Sequence, residues 1–325
     1  MPTATSGAAL RVRLLSNHVM AAATPEAKLL PRAVIITGGS KGYGCALAEE
    51  LCAEAVRDGR GLHLALVARD EKGLIETEAA VLKAAGTSST SGVTCRGFKV
   101  DLGKYEALAA KMEGVMTFLE ETLTSWIGSG GSDSQPKAEL ILIHNAGSLG
   151  RLAYAGALTA EESAASIDLN VTSMLLLTQL VLRRFSQKAQ LPGNTLRIRV
   201  VNISSLLAVQ AMASWSLYST GKAARDMFMR SVAADVLALQ QDVRTLSYAP
   251  GPMHTAMVQE VLDSCPDKQV KQGFEDMQAE DKFVDVRVSA AKLVCLLGND
   301  LSYESGAHVD FYDALKNIKK MQKSY

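Results

Sequence analysis

Ala33-Val-Ile-Ile-Thr37, running into Gly38-Gly39-Ser40-Lys41-Gly42-Tyr43-Gly44, decides the fold. An apolar run of strand length gives way to a glycine turn, and the turn to Cys45–Val56, whose apolar residues recur on one helical face. Strand, turn and helix in that order suit a bound phosphate. Small residues let the backbone approach it, and the helix N-terminus offers unpaired N–H groups and a favourable dipole. The motif predicts a nucleotide site at Gly38, Ser40, Lys41, Gly42, Tyr43 and Gly44.

The next strand-like run, Leu62–Val67, ends in Ala68-Arg69-Asp70. A site for NAD usually places a carboxylate here for the ribose 2′-hydroxyl, whereas an arginine accommodates a 2′-phosphate. Ala68 accepts nothing, and Arg69 with Lys41 forms a cationic pair suited to a dianion. NADPH is therefore expected over NADH. Asp70 reads as the cap of a helix over Glu71–Ala84.

Further strand-like runs follow at Val93–Val100, Leu140–His144, Leu196–Ile203, Val243–Tyr248 and Ala307–Phe311, alternating with helical stretches. That alternation predicts an α/β, Rossmann-type, doubly wound parallel sheet in a single domain, with helices on both faces. About seven strands are expected, in the order 3-2-1-4-5-6-7. The domain is placed at 31–313, after an extension over 1–30 and before a basic tail over 314–325. Gly86–Gly92 and Gly128–Pro136 read as loops inside it. Residues 1–30 resemble a transit peptide in composition, with Arg11, Arg13 and no acid before Glu26, but no long basic amphipathic helix is evident. A disordered extension is expected there.

Lysine plus arginine and aspartate plus glutamate both number 34 in 325 residues, so no global field draws the chain to nucleic acid or anionic lipid. The longest apolar run, Met174–Leu182, is broken by Thr178 and Gln179, so no membrane span is expected. Cys45, Cys52, Cys95, Cys265 and Cys295 lack metal-ligand spacing and are odd in number. No metal site is expected, and a reducing, cytoplasmic location is. Helical stretches at Ser173–Phe185 and Trp215–Ala238 are apolar around much of their circumference, which suggests cover by a second copy of the chain.

Tyr218-Ser-Thr-Gly-Lys222 places a phenol and an ammonium one helical turn apart, with Ser205 upstream. A nearby cation favours the phenolate, so Lys222 is expected to lower the Tyr218 phenol toward the range where it exchanges protons with a carbonyl or an alcohol.

These motifs together, Thr37-Gly38-x-x-x-Gly42-x-Gly44, Asn145-Ala-Gly147, Ser205 and Tyr218-x-x-x-Lys222, resemble the short-chain dehydrogenase/reductase family. Longer strings resemble its pterin-reducing members: Asn145-Ala-Gly-Ser-Leu-Gly150, Leu169-Asn-Val-Thr-Ser-Met174, Val201-Asn-Ile-Ser-Ser-Leu206, Leu217–Met227, Tyr248-Ala-Pro-Gly-Pro252 and Ser305–Asp313. The likeness spans about residues 32 to 313 and implies an NADPH-dependent reductase acting on pterin side-chain ketones as a homodimer.

The resemblance also implies roles. Tyr218 is the proton donor, and Lys222 tunes it and holds the nicotinamide ribose. Ser205 bonds the substrate carbonyl, and Asn170 supports a proton-relaying water. Asp101 and Leu102 lie by the adenine; Asn145, Ala146 and Gly147 run along the cofactor; Pro250, Gly251 and Thr255 hold the carboxamide end. Asp310 accepts from the 2-amino and N3 donors of a pterin, and Trp215, Leu206 and Met257 line its ring. A cap or turn at the strand end is the alternative for Asp310. Four positions depart from the pattern: His144 stands where asparagine is common, Lys41 replaces an arginine, and Leu207 and Met212 differ in the pocket wall. His254 and His308 lack ligand spacing and carry no assigned role. A broad carbonyl reductase and a non-catalytic NADPH-binding scaffold are the competing readings.

Overall fold

A computed structural model describes residues 29–313, apart from 87–91, 129–135, 192 and 299–301. The extension, the basic tail and most of the two expected loops therefore lie outside the described residues. Seven strands form one parallel sheet: β1 (Arg32–Thr37), β2 (Leu62–Ala68), β3 (Val93–Lys99), β4 (Ala138–His144), β5 (Leu196–Ile203), β6 (Val243–Ala249) and β7 (Ala307–Asp310). Their order is β3-β2-β1-β4-β5-β6-β7, as predicted. Boundaries moved by a residue or two. β7 stops before Phe311 because the Asp310 carboxylate accepts from the Tyr312 N–H (2.8 Å) and turns the chain.

Alternation along the central strands sorts their side chains into two apolar layers. Val34 and Ile36 of β1 join Leu47 and Leu51 of α1 (Gly42–Asp58), α2 (Glu71–Ala85) and α9 (Val286–Leu297) in one layer. Ala33 and Ile35 face the other, with Met112, Met116 and Leu119 of α3 (Leu108–Ile127). That second layer also takes Met174, Leu177, Val181 and Phe185 of α5 (Ser173–Phe185) and Met229 and Val232 of α6 (Ser216–Ala238). Each fully buried Leu or Met contributes roughly 1.5–3 kcal/mol.

The helical run Ala160–Ala189, comprising α4 (Ala160–Ile167), a π-helical segment (Asp168–Thr172), α5 and a final 3₁₀ turn, is long and apolar enough to cross a bilayer. Sequence reading had found only a shorter, interrupted run there. In the fold, the inward face of α5 is covered by the sheet.

A buried ionic cluster pins the amino rim. Arg32 Nε lies 2.7 Å from Glu139 Oε2, Arg32 also pairs with Glu54, and Arg199 pairs with Glu139. Burial alone would raise the Glu139 carboxyl; Arg32 and Arg199 outweigh it and hold it below the usual range. At the carboxyl rim the chain leaves β1 and β4 in opposite directions, which opens the crevice where open α/β sheets bind ligands.

Candidate active site

The glycine turn is shaped by close approach. A Cβ on Gly44 would lie 2.2 Å from the Gly38 carbonyl oxygen, so the first turn of α1 packs against the end of β1. Gly42, at φ +57°, has nothing within 4 Å of such an atom; its conformation needs glycine and its outer face is open. Asn145 clamps the turn from the neighbouring strand end, its Nδ2 donating to the carbonyls of Thr37 (3.0 Å) and Gly38 (3.1 Å). Thr37 Oγ1 accepts from the N–H groups of Asn145 and Ala146, both at 3.0 Å.

Lys41 is the N-cap of α1, and both it and Arg69 are exposed; among the described residues neither is in an ion pair. Asp70 caps α2 through Gly73 N–H (3.1 Å) and leaves Arg69 free, as expected. A phosphorylated nucleotide fits here: an open glycine, a helix N-terminus and two uncommitted cations converge. Asp101 closes its own turn on Gly103 N–H (3.1 Å), while the Leu102 side chain is buried in the core and has only its backbone to offer. His144 is turned away from the crevice. Its Nε2 lies 2.8 Å from Thr178 Oγ1, and burial with the Arg225 charge holds the ring neutral, so no cofactor contact is assigned to it.

The π-helical segment presents Asn170. Its Oδ1 accepts from Ser148 N–H (2.9 Å) and its Nδ2 donates to Ser148 O and Ser166 Oγ, both at 3.2 Å. Asn170 thus fastens the chain just after Gly147, where a Cβ would lie 3.0 Å from its oxygen. Gly221 lets α6 close on it, with 3.2 Å between a built Cβ and that of Asn170. A one-turn π segment beside reactive groups is a recurrent functional arrangement.

Ser205 follows β5 and its Oγ accepts from Leu207 N–H (3.2 Å). Tyr218 and Lys222 project from α6 toward the same strand end. The Lys222 Nζ donates to Ile203 O at 2.6 Å and lies 5.4 Å from the Tyr218 ring centroid. The structure corrects the expected tuning. Burial lifts the Tyr218 phenol above its ordinary range, against a Ser205 hydrogen bond and the Arg225 charge, which both pull it down. Burial and the like charge of Arg225 push the Lys222 ammonium well below the lysine range, against the Asp226 charge.

Trp215 heads α6 and is buried. It meets Tyr218 edge-on (centroids 5.5 Å, 81°) and stacks on Phe274 (5.8 Å, 10°) of α8 (Lys268–Ala279). Ser214 before it sits at φ +65°, a strained setting held by Ala153 N–H donating to Ser214 O (3.1 Å). Met257 of α7 (Ala256–Ser264) joins this cluster with Leu207 and Met212, whereas Leu206 is 53% exposed. Gly251 (φ +79°) leaves no room for a Cβ beside Val284, and Pro250 O accepts from Ser289 Oγ (2.9 Å). Thr255 caps α7 without a side-chain bond. Asp310 ends β7 opposite Ala249 of β6; nearby Lys292 is lowered to about 8 by burial, against the Asp310 charge. The turn at Tyr312 read as the alternative for Asp310 is present, and it occupies one carboxylate oxygen.

Sequence reasoning gave no role to Arg225 and Asp226, although both lie in the quoted Leu217–Met227 string. Arg225 is 1% exposed; Asp226 accepts from Ser204 Oγ (2.6 Å) and Asn202 Nδ2 (2.9 Å). The signal was an adjacent charged pair on an otherwise apolar, inward helical stripe. Phe274 was missed because its contact is distant in sequence. Among the described residues no cluster could hold a metal ion, and all five cysteines are free thiols.

A parallel seven-stranded sheet with Ser205, Tyr218 and Lys222 at its carboxyl rim defines a class of oxidoreductase. The short chain dehydrogenase sequence model matches residues 32–265, and the chain belongs to that family. It is 35% identical over 284 residues to sepiapterin reductase of Xenopus laevis, covering 86% of this chain and 95% of that protein. Identity to sepiapterin reductase of Meriones unguiculatus is 36% over 286 residues, with the same coverage of each. A benzil reductase ((S)-benzoin forming) of Bacillus subtilis is 34% identical over 137 residues, 42% of this chain and 52% of that one. Among solved structures, NAD+-bound xylitol dehydrogenase superposes with a TM-score of 0.67 at 20% identity, covering 87% and 98% of the two chains. An actinorhodin polyketide ketoreductase with NADPH gives 0.66 at 18%, covering 86% and 95%. These two show the shared fold.

Proposed function

We propose that this oxidoreductase uses NADPH to reduce side-chain ketones of pterins, sepiapterin to dihydrobiopterin and 6-pyruvoyl-tetrahydropterin to tetrahydrobiopterin. The observation that carries the reading is the match to curated sepiapterin reductases along 95% of their length, with Ser205, Tyr218, Lys222 and Asp310 standing at strand and helix ends on one rim. Lys41 and Arg69 support NADPH over NADH, since Ala68 at the end of β2 cannot accept from a free ribose hydroxyl and Asp70 is engaged in capping α2. The glycine turn and Asn145–Gly147 would hold the dinucleotide, with Asp101 and Leu102 toward the adenine and Pro250, Gly251 and Thr255 toward the carboxamide.

The cofactor supplies a hydride for the carbonyl carbon. Tyr218 gives its proton to the carbonyl oxygen, and Ser205 donates to that same oxygen as its charge grows. Burial suits the donor role, because a phenol kept above its ordinary range stays protonated through neutral pH. Asp310 keeps one carboxylate oxygen for the pterin edge, and Trp215, Leu206 and Met257 flank the ring. The reductase unit is taken as 31–313, acting in the cytoplasm as a homodimer; exposed Met227 and Leu237 on α6 suit cover by a second copy.

A second reading, a broad diketone reductase, draws on the partial likeness to benzil reductase. NADPH oxidation with sepiapterin, run beside benzil and beside NADH, separates the two. A kcat/KM for benzil equal to or above that for sepiapterin would remove the pterin assignment.

A further inference from the structure

Asp310 closes β7 opposite Ala249, the last residue of β6. The residues that follow these two, Phe311 and Pro250, are both held by one turn of α9. Ser289 Oγ donates to Pro250 O (2.9 Å), and Lys292 Nζ, three residues further along the same inward stripe, donates to Phe311 O (3.4 Å). The Lys292 ammonium also sits over the Phe311 ring, 3.3 Å from its centroid. Phe311 is itself buried, and its Cβ lies 3.8 Å from where a Cβ on Gly251 would stand. One helical turn therefore fixes the ends of β6 and β7 against each other.

Packing alone does not account for a lysine in this place. Lys292 is 8% exposed, and its helix neighbours Ala290, Leu293, Leu296 and Leu297 are buried in the apolar layer, where a leucine or methionine would serve. A buried ammonium is costly unless its surroundings answer the charge. Here the carbonyl and the ring face of Phe311 do so, and both belong to the residue beside Asp310. Asp310 in turn depends on that segment for its orientation: its Oδ1 accepts from Tyr312 N–H (2.8 Å), so a shift of the backbone at Phe311 and Tyr312 carries the carboxylate with it.

We propose that Lys292 is a positioning residue for substrate recognition, holding the Asp310–Tyr312 turn through the Phe311 carbonyl and ring so that the carboxylate meets the paired N–H donors of a pterin edge. The inference rests on Asp310 being the pterin anchor. Because Ser289 secures the same helix to Pro250, the anchor stands at a set separation from the Pro250–Gly251 turn. Removing the ammonium leaves the Tyr312 bond in place but loosens the turn that carries it. The loss then falls on pterin affinity and leaves proton transfer at Tyr218 unaltered.

The test is a double-mutant cycle of Lys292→Met, Asp310→Ala and the two combined, against the parent enzyme. KM and kcat are measured with sepiapterin and with benzil, and thermal melting is recorded on the same preparations. Lys292→Met should raise the sepiapterin KM about 3–10-fold, the scale of one lost hydrogen bond, with kcat and the benzil KM moving much less. In the Asp310→Ala background the same change should add little, because residues acting through one contact are not additive. An unmoved sepiapterin KM, an equal rise for both ketones, or a rise as large without Asp310 as with it would make Lys292 a packing residue and overturn the proposal. If Lys292→Met does not fold, Lys292→Gln, which keeps a polar head without the charge, is judged by the same criteria. A sepiapterin KM unchanged by Asp310→Ala would instead refute the anchor reading beneath it.

Discussion

His308 Nδ1 lies 2.6 Å from Asp226 Oδ2, joining β7 to the helix that carries Tyr218 and Lys222. Burial pushes the Asp226 carboxyl up, but hydrogen bonds from His308 and Ser204 outweigh it and hold it below the ordinary aspartate range. A carboxyl lowered on folding stabilises the protein above its unfolded pKa, and that stability is lost as pH falls through the folded value. Asp226→Asn should cost about 3–5 kcal/mol in urea unfolding at neutral pH, the scale for breaking a buried pair. The gap between variant and parent should close in strongly acidic buffer; a gap constant from neutral pH into strong acid would show that the ionised carboxylate is not what matters.

Tyr218→Phe keeps the ring against Trp215 and removes only the hydroxyl. Reduction should slow by about 10²–10⁴-fold, the usual worth of a positioned acid, while NADPH binding measured by fluorescence stays within a factor of two or so.

Lys41→Ala with Arg69→Ala removes the two cations beside the glycine turn. The KM for NADPH should rise about 10–100-fold, matching one or two lost charge-assisted bonds, and that for NADH should stay nearly constant. A parallel rise for both cofactors would place the 2′-phosphate elsewhere.

Asp310→Ala removes the carboxylate at the end of β7. With sepiapterin the KM should increase about 10-fold or more, while for a simple diketone, which has no paired N–H donors to offer, it should barely change. Equal increases would assign Asp310 to the Tyr312 turn alone.

Gly44→Ala would drive a methyl to 2.2 Å from the Gly38 carbonyl, and backbone there has little room to yield. Destabilisation of about 3 kcal/mol, read from denaturant midpoints, should accompany loss of NADPH binding.

The sheet was readable because β1 and β4 are buried on both faces and carry the apolar runs Ala33–Ile36 and Leu140–Ile143. Strand ends were less so: Val100 and Phe311 continue the apolar pattern after the ladder has stopped, and only the Asp310–Tyr312 bond marks the second exit. Tyr218, Lys222 and Ser205 stood out through spacing, but their electrostatics did not. The one-turn rule put an ammonium beside a phenol; it said nothing of the Ile203 carbonyl that claims the ammonium, or of the burial that raises the phenol. Arg225 was passed over for a similar reason, since arginine on a helix reads as solvated until tertiary contacts enclose it, despite the apolar stripe around it. Phe274 and the π segment at Asp168–Thr172 depend on a distant partner and on a shifted hydrogen-bond ladder, neither of which leaves a periodic trace.

The ionic knot of Arg32, Glu54, Glu139 and Arg199 sits at the rim remote from the chemistry. Damage to separated regions tends to add without coupling, so changes made around the pocket should not propagate into this anchor. The enzyme is in that sense an adaptable scaffold. Libraries randomising Leu206, Met212, Met257 and Phe274 can explore new ketones while the far edge keeps the sheet in register.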